Sequence, residues 1–184
     1  MVEMAKYTLS KYDEFKIKYY PIIIPVVTIL LLAFILGYCF VNGGDKPTVT
    51  CDETREKLIE LGYEPVDATY NYKNQIPFLN KCIYAQKDDV TLIFFQLYDD
   101  ANAFSLHSNN NSKISMMARY RDWSEFHDNY SRYAALSYDN TYYVSVLVSN
   151  TVVWAQCNYE NKEEIYKFLT AIKYNASTKE NREE

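Results

Sequence analysis

The chain has 184 residues, a net charge of −5, four glycines, two histidines and nineteen tyrosines. That acidic balance excludes a polyanion-binding surface, which needs a basic footprint. The glycine poverty leaves no room for a phosphate-cradling loop.

The first element in chain order is apolar. No charged residue falls between Tyr19 and Gly44, and "IIIPVVTILLLAFILGYCFV" is about 20 residues long, enough to cross a hydrocarbon core. It predicts one transmembrane helix over 19–42, after a cytoplasmic tail over 1–18. Pro21 and Pro25 fit its first turns, where amide donors have no partner. The run exceeds a secretory h-region and ends without a small-x-small site, so the expectation is an uncleaved span. Tyr38 precedes Cys39 where a lipobox needs a small residue. Lys6, Lys11, Lys16 and Lys18 ahead of the run, against Lys46 behind it, place the N-terminus inside and the rest outside a cell membrane. Three acids and four lysines precede the span, leaving 21 acids and 15 bases after it, a net of −6.

A linker over 43–49 leads to an α+β domain over 50–174, with a polar disordered tail over 175–184. "TCDETREKLIELGYEP" reads as a helix, with Thr50 and Glu53 as a capping box, Gly62 as C-terminal cap and Cys51, Thr54, Leu58 and Leu61 as its buried stripe. "KCIYAQ" and "VTLIFFQLY" predict a hairpin turning at Asp88-Asp89, with Ile93, Phe95 and Leu97 on one apolar face. Asp99-Asp100 caps a helix carrying Ala103, Phe104 and Leu106, expected to fade into "HSNNNSK". "MMARYRDWSEFHDNY" reads only as one or two amphipathic turns. "SRYAALSYDN", "TYYVSVLVSN" and "TVVWAQCNYE" predict a three-stranded meander. "NKEEIYKFLTAIKY" closes the domain as a helix capped by Asn161, burying Ile165, Phe168, Leu169 and Ile172. The expected architecture is therefore a transmembrane helix followed by an antiparallel five-stranded sheet with helices on one face, in the order α-β-β-α-β-β-β-α.

"KLIELGYEPVDAT", "IFFQLYDDANAF" and "YYVSVLVSNTVVWA" resemble a loose group of single-pass membrane proteins of Gram-positive bacteria with a small extracytoplasmic α+β domain. The resemblance implies no activity, and its motifs are core and turn residues.

Candidate chemistry is sparse. His107 and His127 have no second ligand at metal spacing, and both read as solvated turn residues. The acid pairs Asp88-Asp89, Asp99-Asp100 and Glu163-Glu164 read as a turn, a helix cap and a helix first turn. Asn110, Asn129 and Asn175 open N-x-S/T triplets, which an Asn-rich chain contains by chance. No catalytic residue, metal site or cofactor is expected.

Cys51, Cys82 and Cys157 form no C-x-x-C. Two-residue turns set Cys82 opposite Phe95 and Cys157 opposite Tyr142. If the hairpin and the meander join through "KCIYAQ" and "TVVWAQC", Cys82 and Cys157 become neighbours able to bridge. Joining through "VTLIFFQLY" and "SRYAALSY" separates them. The Cys82–Cys157 bridge is the expectation, with Cys51 free or paired to one of them as the alternatives.

The aromatic excess supplies the binding candidates Tyr120, Trp123, Phe126 and Tyr130, since such rings offer large amphipathic area at low entropic cost. The expected function is a membrane-anchored, non-enzymatic interaction or ligand-sensing domain for an unknown protein or cell-envelope ligand, without nucleic acid. The alternatives are an envelope thiol-redox enzyme using Cys51 at a helix start, and a structural subunit of a membrane complex associating through Ala33-x-x-x-Gly37.

Overall fold

The computed structural model describes Ile24, Pro25, residues 27–29, 46–127 and 129–175. The chain divides between Gly44 and Asp45 into two units, and the second carries the sheet. Its elements are α1 (Cys51–Glu60), β1 (Val66–Asp67), α2 (Thr69–Lys73), β2 (Leu79–Lys87), β3 (Val90–Leu97) and α3 (Asp100–Met117). Then follow β4 (Ala118–His127), β5 (Tyr130–Ser137), β6 (Thr141–Val148), β7 (Thr151–Asn158), a 3-10 turn (Tyr159–Asn161) and α4 (Lys162–Ala171).

The strands form one sheet in the order β1-β2-β3-β7-β6-β5-β4, and every neighbouring pair is antiparallel. Two strands beyond the expected five are present. β1 is two residues long, and β4 is the segment expected to form amphipathic turns. Its pairing with β5 shifts register between Ala118 and Tyr120 and again between Arg121 and Trp123. Each bulge reverses the alternation, so the period-2 signature of a strand is scrambled.

Helices cover both faces of the sheet, not one. On one face α1 and α4 pack Cys51, Leu58, Ile165, Phe168 and Leu169 against Ile83, Phe94, Val146 and Val153. On the other, α2 and α3 bring Tyr72, Ala103, Leu106 and Ile114 against residues such as Phe95, Val152 and Ala135. β3 is apolar nearly throughout because it is buried on both sides, where a half-solvated strand would alternate with polar residues.

The single-pass helix and the integral membrane partnership expected from residues 19–42 are corrected as well. Among the described residues no helix is long and apolar enough to cross a membrane. Of that run only Ile24, Pro25 and residues 27–29 are described, and they are helical. The rest of it, the tail over 1–18, residues 43–45 and residues 176–184 lie outside the described residues.

Local chemistry explains the helix ends. Thr50 accepts from the Glu53 amide at 3.3 Å while Glu53 accepts from the Thr50 amide at 2.8 Å, closing the capping box. Gly62, at φ 79°, ends α1 with Tyr63 N–H bonded to Leu58 O and Gly62 N–H to Ile59 O, a Schellman pair that needs a left-handed residue. Asp99 caps α3 at the Asn102 amide, 2.8 Å away. Asn161 stands at the start of α4 without capping it, and its side-chain Nδ2 donates to Asp89 Oδ1 at 2.6 Å.

α3 does not fade at its Asn/Ser run. It continues to Met117 because Ala103, His107, Asn110 and Ile114 form one buried stripe, and packing outweighs the weak helix preference of Ser and Asn.

Candidate interaction surface

The four aromatic candidates separate. Tyr120, Trp123 and Phe126 lie on β4 and are 63%, 38% and 70% exposed, whereas Tyr130 is 2% exposed. Tyr130 belongs to the core beneath α1 and α4, and its place there is a correction to its role as a contact residue. The Lys46 ammonium sits 5.3 Å from its ring.

β4 is the last strand of the sheet, and among the described residues nothing pairs with its outer edge. Directly opposed residues in an antiparallel pair share a face. Tyr120 opposes Leu136 and Trp123 opposes Ala134, which puts both on the α1/α4 face. Phe126 opposes Ser131, on the face covered by α3. The aromatics thus flank the open edge from both sides. Exposed Met116 and Met117 lead into the strand.

The bulges set what lies behind the rings. Asp122, the extra residue of the second bulge, turns inward and accepts from Tyr142 Oη at 2.6 Å and Tyr166 Oη at 3.4 Å. The two tyrosine hydroxyls are also hydrogen-bonded to each other. Burial pushes the Tyr142 hydroxyl far above its ordinary pKa, so it serves as a donor and not as a base. Arg132, only 4% exposed, is held between the Trp123 ring at 5.3 Å and the Tyr166 ring at 4.8 Å. Trp123 Nε1 donates to Glu125 Oε2 at 3.1 Å, which fixes the indole from its other end.

His107 is a residue whose setting sequence reasoning missed. Instead of standing in a solvated turn, it is buried beneath the sheet with Nδ1 2.9 Å from Ser145 Oγ and Nε2 2.9 Å from both Ser131 Oγ and Asn111 Nδ2. Burial lowers its pKa to about 4, so the ring is neutral at physiological pH. The signal that could have found it is its i,i+4 step from Ala103 on the same helical stripe. The side chain of His127 lies outside the described residues. Beside His107, Ser108, Asn111, Ser112, Ser115, Met116 and Tyr133 line an open cleft of 490 Å³.

Cys82 opposes Phe95 and Cys157 opposes Tyr142, as the turns predicted, but the expected bridge does not form. β7 pairs with β3, not with β2, and the two thiols face opposite layers of the core. Cys51, Cys82 and Cys157 are free and buried, and desolvation pushes each thiol up to about 12. A redox thiolate needs the reverse. Among the described residues no group of three or more His, Cys, Asp or Glu could hold a metal ion.

No family model matches the chain, and no curated protein matches it. A solved structure of a GTP binding regulator from Thermotoga maritima is similar at 11% identity and a TM-score of 0.47, over 73% of this chain and 96% of that one. A likeness that distant carries no argument about this chain.

Proposed function

We propose that the domain is a non-catalytic recruitment module in which β4 accepts an extended segment of a protein partner by strand addition. The observation that carries this reading is the ten-residue end strand whose outer edge is unpaired among the described residues and flanked by Tyr120, Trp123 and Phe126. Backbone groups of an open edge supply affinity in such pairing, and alternate side chains find apolar contacts on either side. Tyr120 and Trp123 would contact one set of partner side chains and Phe126 the other. Support for a non-enzymatic role comes from the chemistry of the buried groups, since the three thiols are held protonated and His107 is locked among hydroxyls and an amide.

Selection of random extended peptides on the full-length protein, followed by amide chemical-shift mapping, tests the reading. Shifts concentrated at 119–126 and abolished by Trp123→Ala are expected. Selected peptides that map to the α3 cleft instead would refute it.

A further inference from the structure

Arg132 joins two places that are far apart in the sequence. Its guanidinium lies between Trp123 on β4 and Tyr166 on α4, and its Nη1 donates to Asn175 Oδ1 at 3.0 Å. Asn175 is in turn the centre of a clasp. Its carbonyl accepts from Lys46 Nζ at 2.9 Å, its side-chain amide donates to Thr170 Oγ1 at 3.1 Å, and its own amide donates to Leu169 O at 3.2 Å. Lys46 is fixed from the other side by Asn129, whose Oδ1 accepts from the Lys46 amide at 3.1 Å and whose Nδ2 donates to the Lys46 carbonyl at 2.9 Å. One buried cation therefore touches both the exposed indole of the open edge and the clasp that ties residue 46 to residue 175.

A guanidinium held this way has few ways to adjust. It is planar, it lies 5.3 Å from the Trp123 ring centroid and 4.8 Å from that of Tyr166, and its hydrogen bond to Asn175 restrains its orientation. Moving the Trp123 ring changes one wall of the slot, and the Nη1 end at Asn175 must follow.

We propose that Arg132 is a positioning residue coupling the orientation of Trp123 to the Lys46–Asn175 clasp, so that a segment docked on β4 alters how firmly the two ends of the domain are held together. The link between Trp123 and the clasp stands on the geometry alone. Its use in signalling a docked partner rests on the reading of β4 as a docking strand.

The test uses the full chain labelled with 5-fluorotryptophan, which places one fluorine signal at Trp123 and one at Trp154. Asn175→Ala removes only an acceptor for Arg132 and a donor to Thr170, and it should move the Trp123 signal while leaving the Trp154 signal in place. In the opposite direction, Trp123→Ala should speed hydrogen exchange at the Asn175 amide about tenfold, the scale expected from losing a desolvated cation–ring contact, with no change in β2 and β3. Arg132→Lys keeps the charge but not the planar fork, and in that background Asn175→Ala should no longer move the Trp123 signal. If Asn175→Ala leaves Trp123 unmoved, or Trp123→Ala leaves Asn175 exchange unchanged, the coupling is refuted whether or not any peptide binds. A selected peptide that shifts 119–126 without changing Asn175 exchange would refute the use of the link in signalling a docked partner and leave strand addition standing.

Discussion

The two ends of the sheet are built on opposite principles. At one end β1 is two residues long, and the strand behind it is closed by side-chain and loop groups: Cys82 N–H donates to Thr69 Oγ1 at 2.9 Å, and Ala68 N–H donates to Cys82 O at 3.0 Å. Asp67 accepts from the Thr69 amide at 2.8 Å, which holds the hydroxyl in place. At the other end β4 runs for ten residues, carries exposed rings and is bent by two bulges. Short edges and bulges both discourage indiscriminate pairing, but only the short edge removes the template. Within one sheet, the fold seals one edge and keeps the other available in a restricted, aromatic form.

The largest effect expected of this contrast lies just behind the open edge. Tyr130→Ala should cost about 3–5 kcal/mol of stability, because it empties a core position, and denaturant titration would measure it. A loss below about 1 kcal/mol would return Tyr130 to the surface it was expected to occupy.

Acid should discriminate between the two ends next. His107, on α3, bonds Ser131 of β5 and Ser145 of β6, and its folded pKa of about 4 lies below the ordinary 6.5. The folded state therefore binds fewer protons than the unfolded state in that interval. Stability from the neutral ring is present above pH 6.5 and is lost as pH falls towards 4, by up to about 3 kcal/mol. Hydrogen exchange followed from pH 7 to 4 should show β5 and β6 losing protection before β1 and β2. His107→Gln should flatten the dependence, and an unchanged pH profile in that variant would contradict the assignment.

At the sealed end, Thr69→Val removes the acceptor for Cys82 N–H and should cost about 1–3 kcal/mol, the price of an orphaned donor. At the open end, Phe126→Ala should change stability by less than about 0.5 kcal/mol while weakening a selected peptide by about 2 kcal/mol or more. Equal stability losses at Thr69 and Phe126 would erase the distinction between the edges.

Much of the fold was legible because it rests on local rules. The Thr50/Glu53 box, the Gly62 cap, the Asp99 cap and the apolar repeat of the last helix are short-range patterns, and the turns around Asp88 and Ser149 fixed the registers of Cys82 with Phe95 and Cys157 with Tyr142. β4 was illegible because two bulges erase the alternation that identifies a strand. Of the candidate surface, Tyr120, Trp123 and Phe126 could be named from residue type, but Tyr130 could not be told apart from them. Its burial depends on α1 and α4 packing over its face.

The sequence by itself determined the meander, the caps at Thr50, Gly62 and Asp99, and the cross-strand neighbours of Cys82 and Cys157, since these depend on turn chemistry and on residues within a few positions of one another. Only the tertiary structure decided that β7 joins β3, that helices cover both faces, that Cys82 and Cys157 face different layers, and that Arg132 bridges Trp123 to Asn175. The physical reason is that strand order and face assignment are settled by which apolar surfaces bury one another. β3 is apolar on both faces and fits beside β7 only when each face has its own layer of helices.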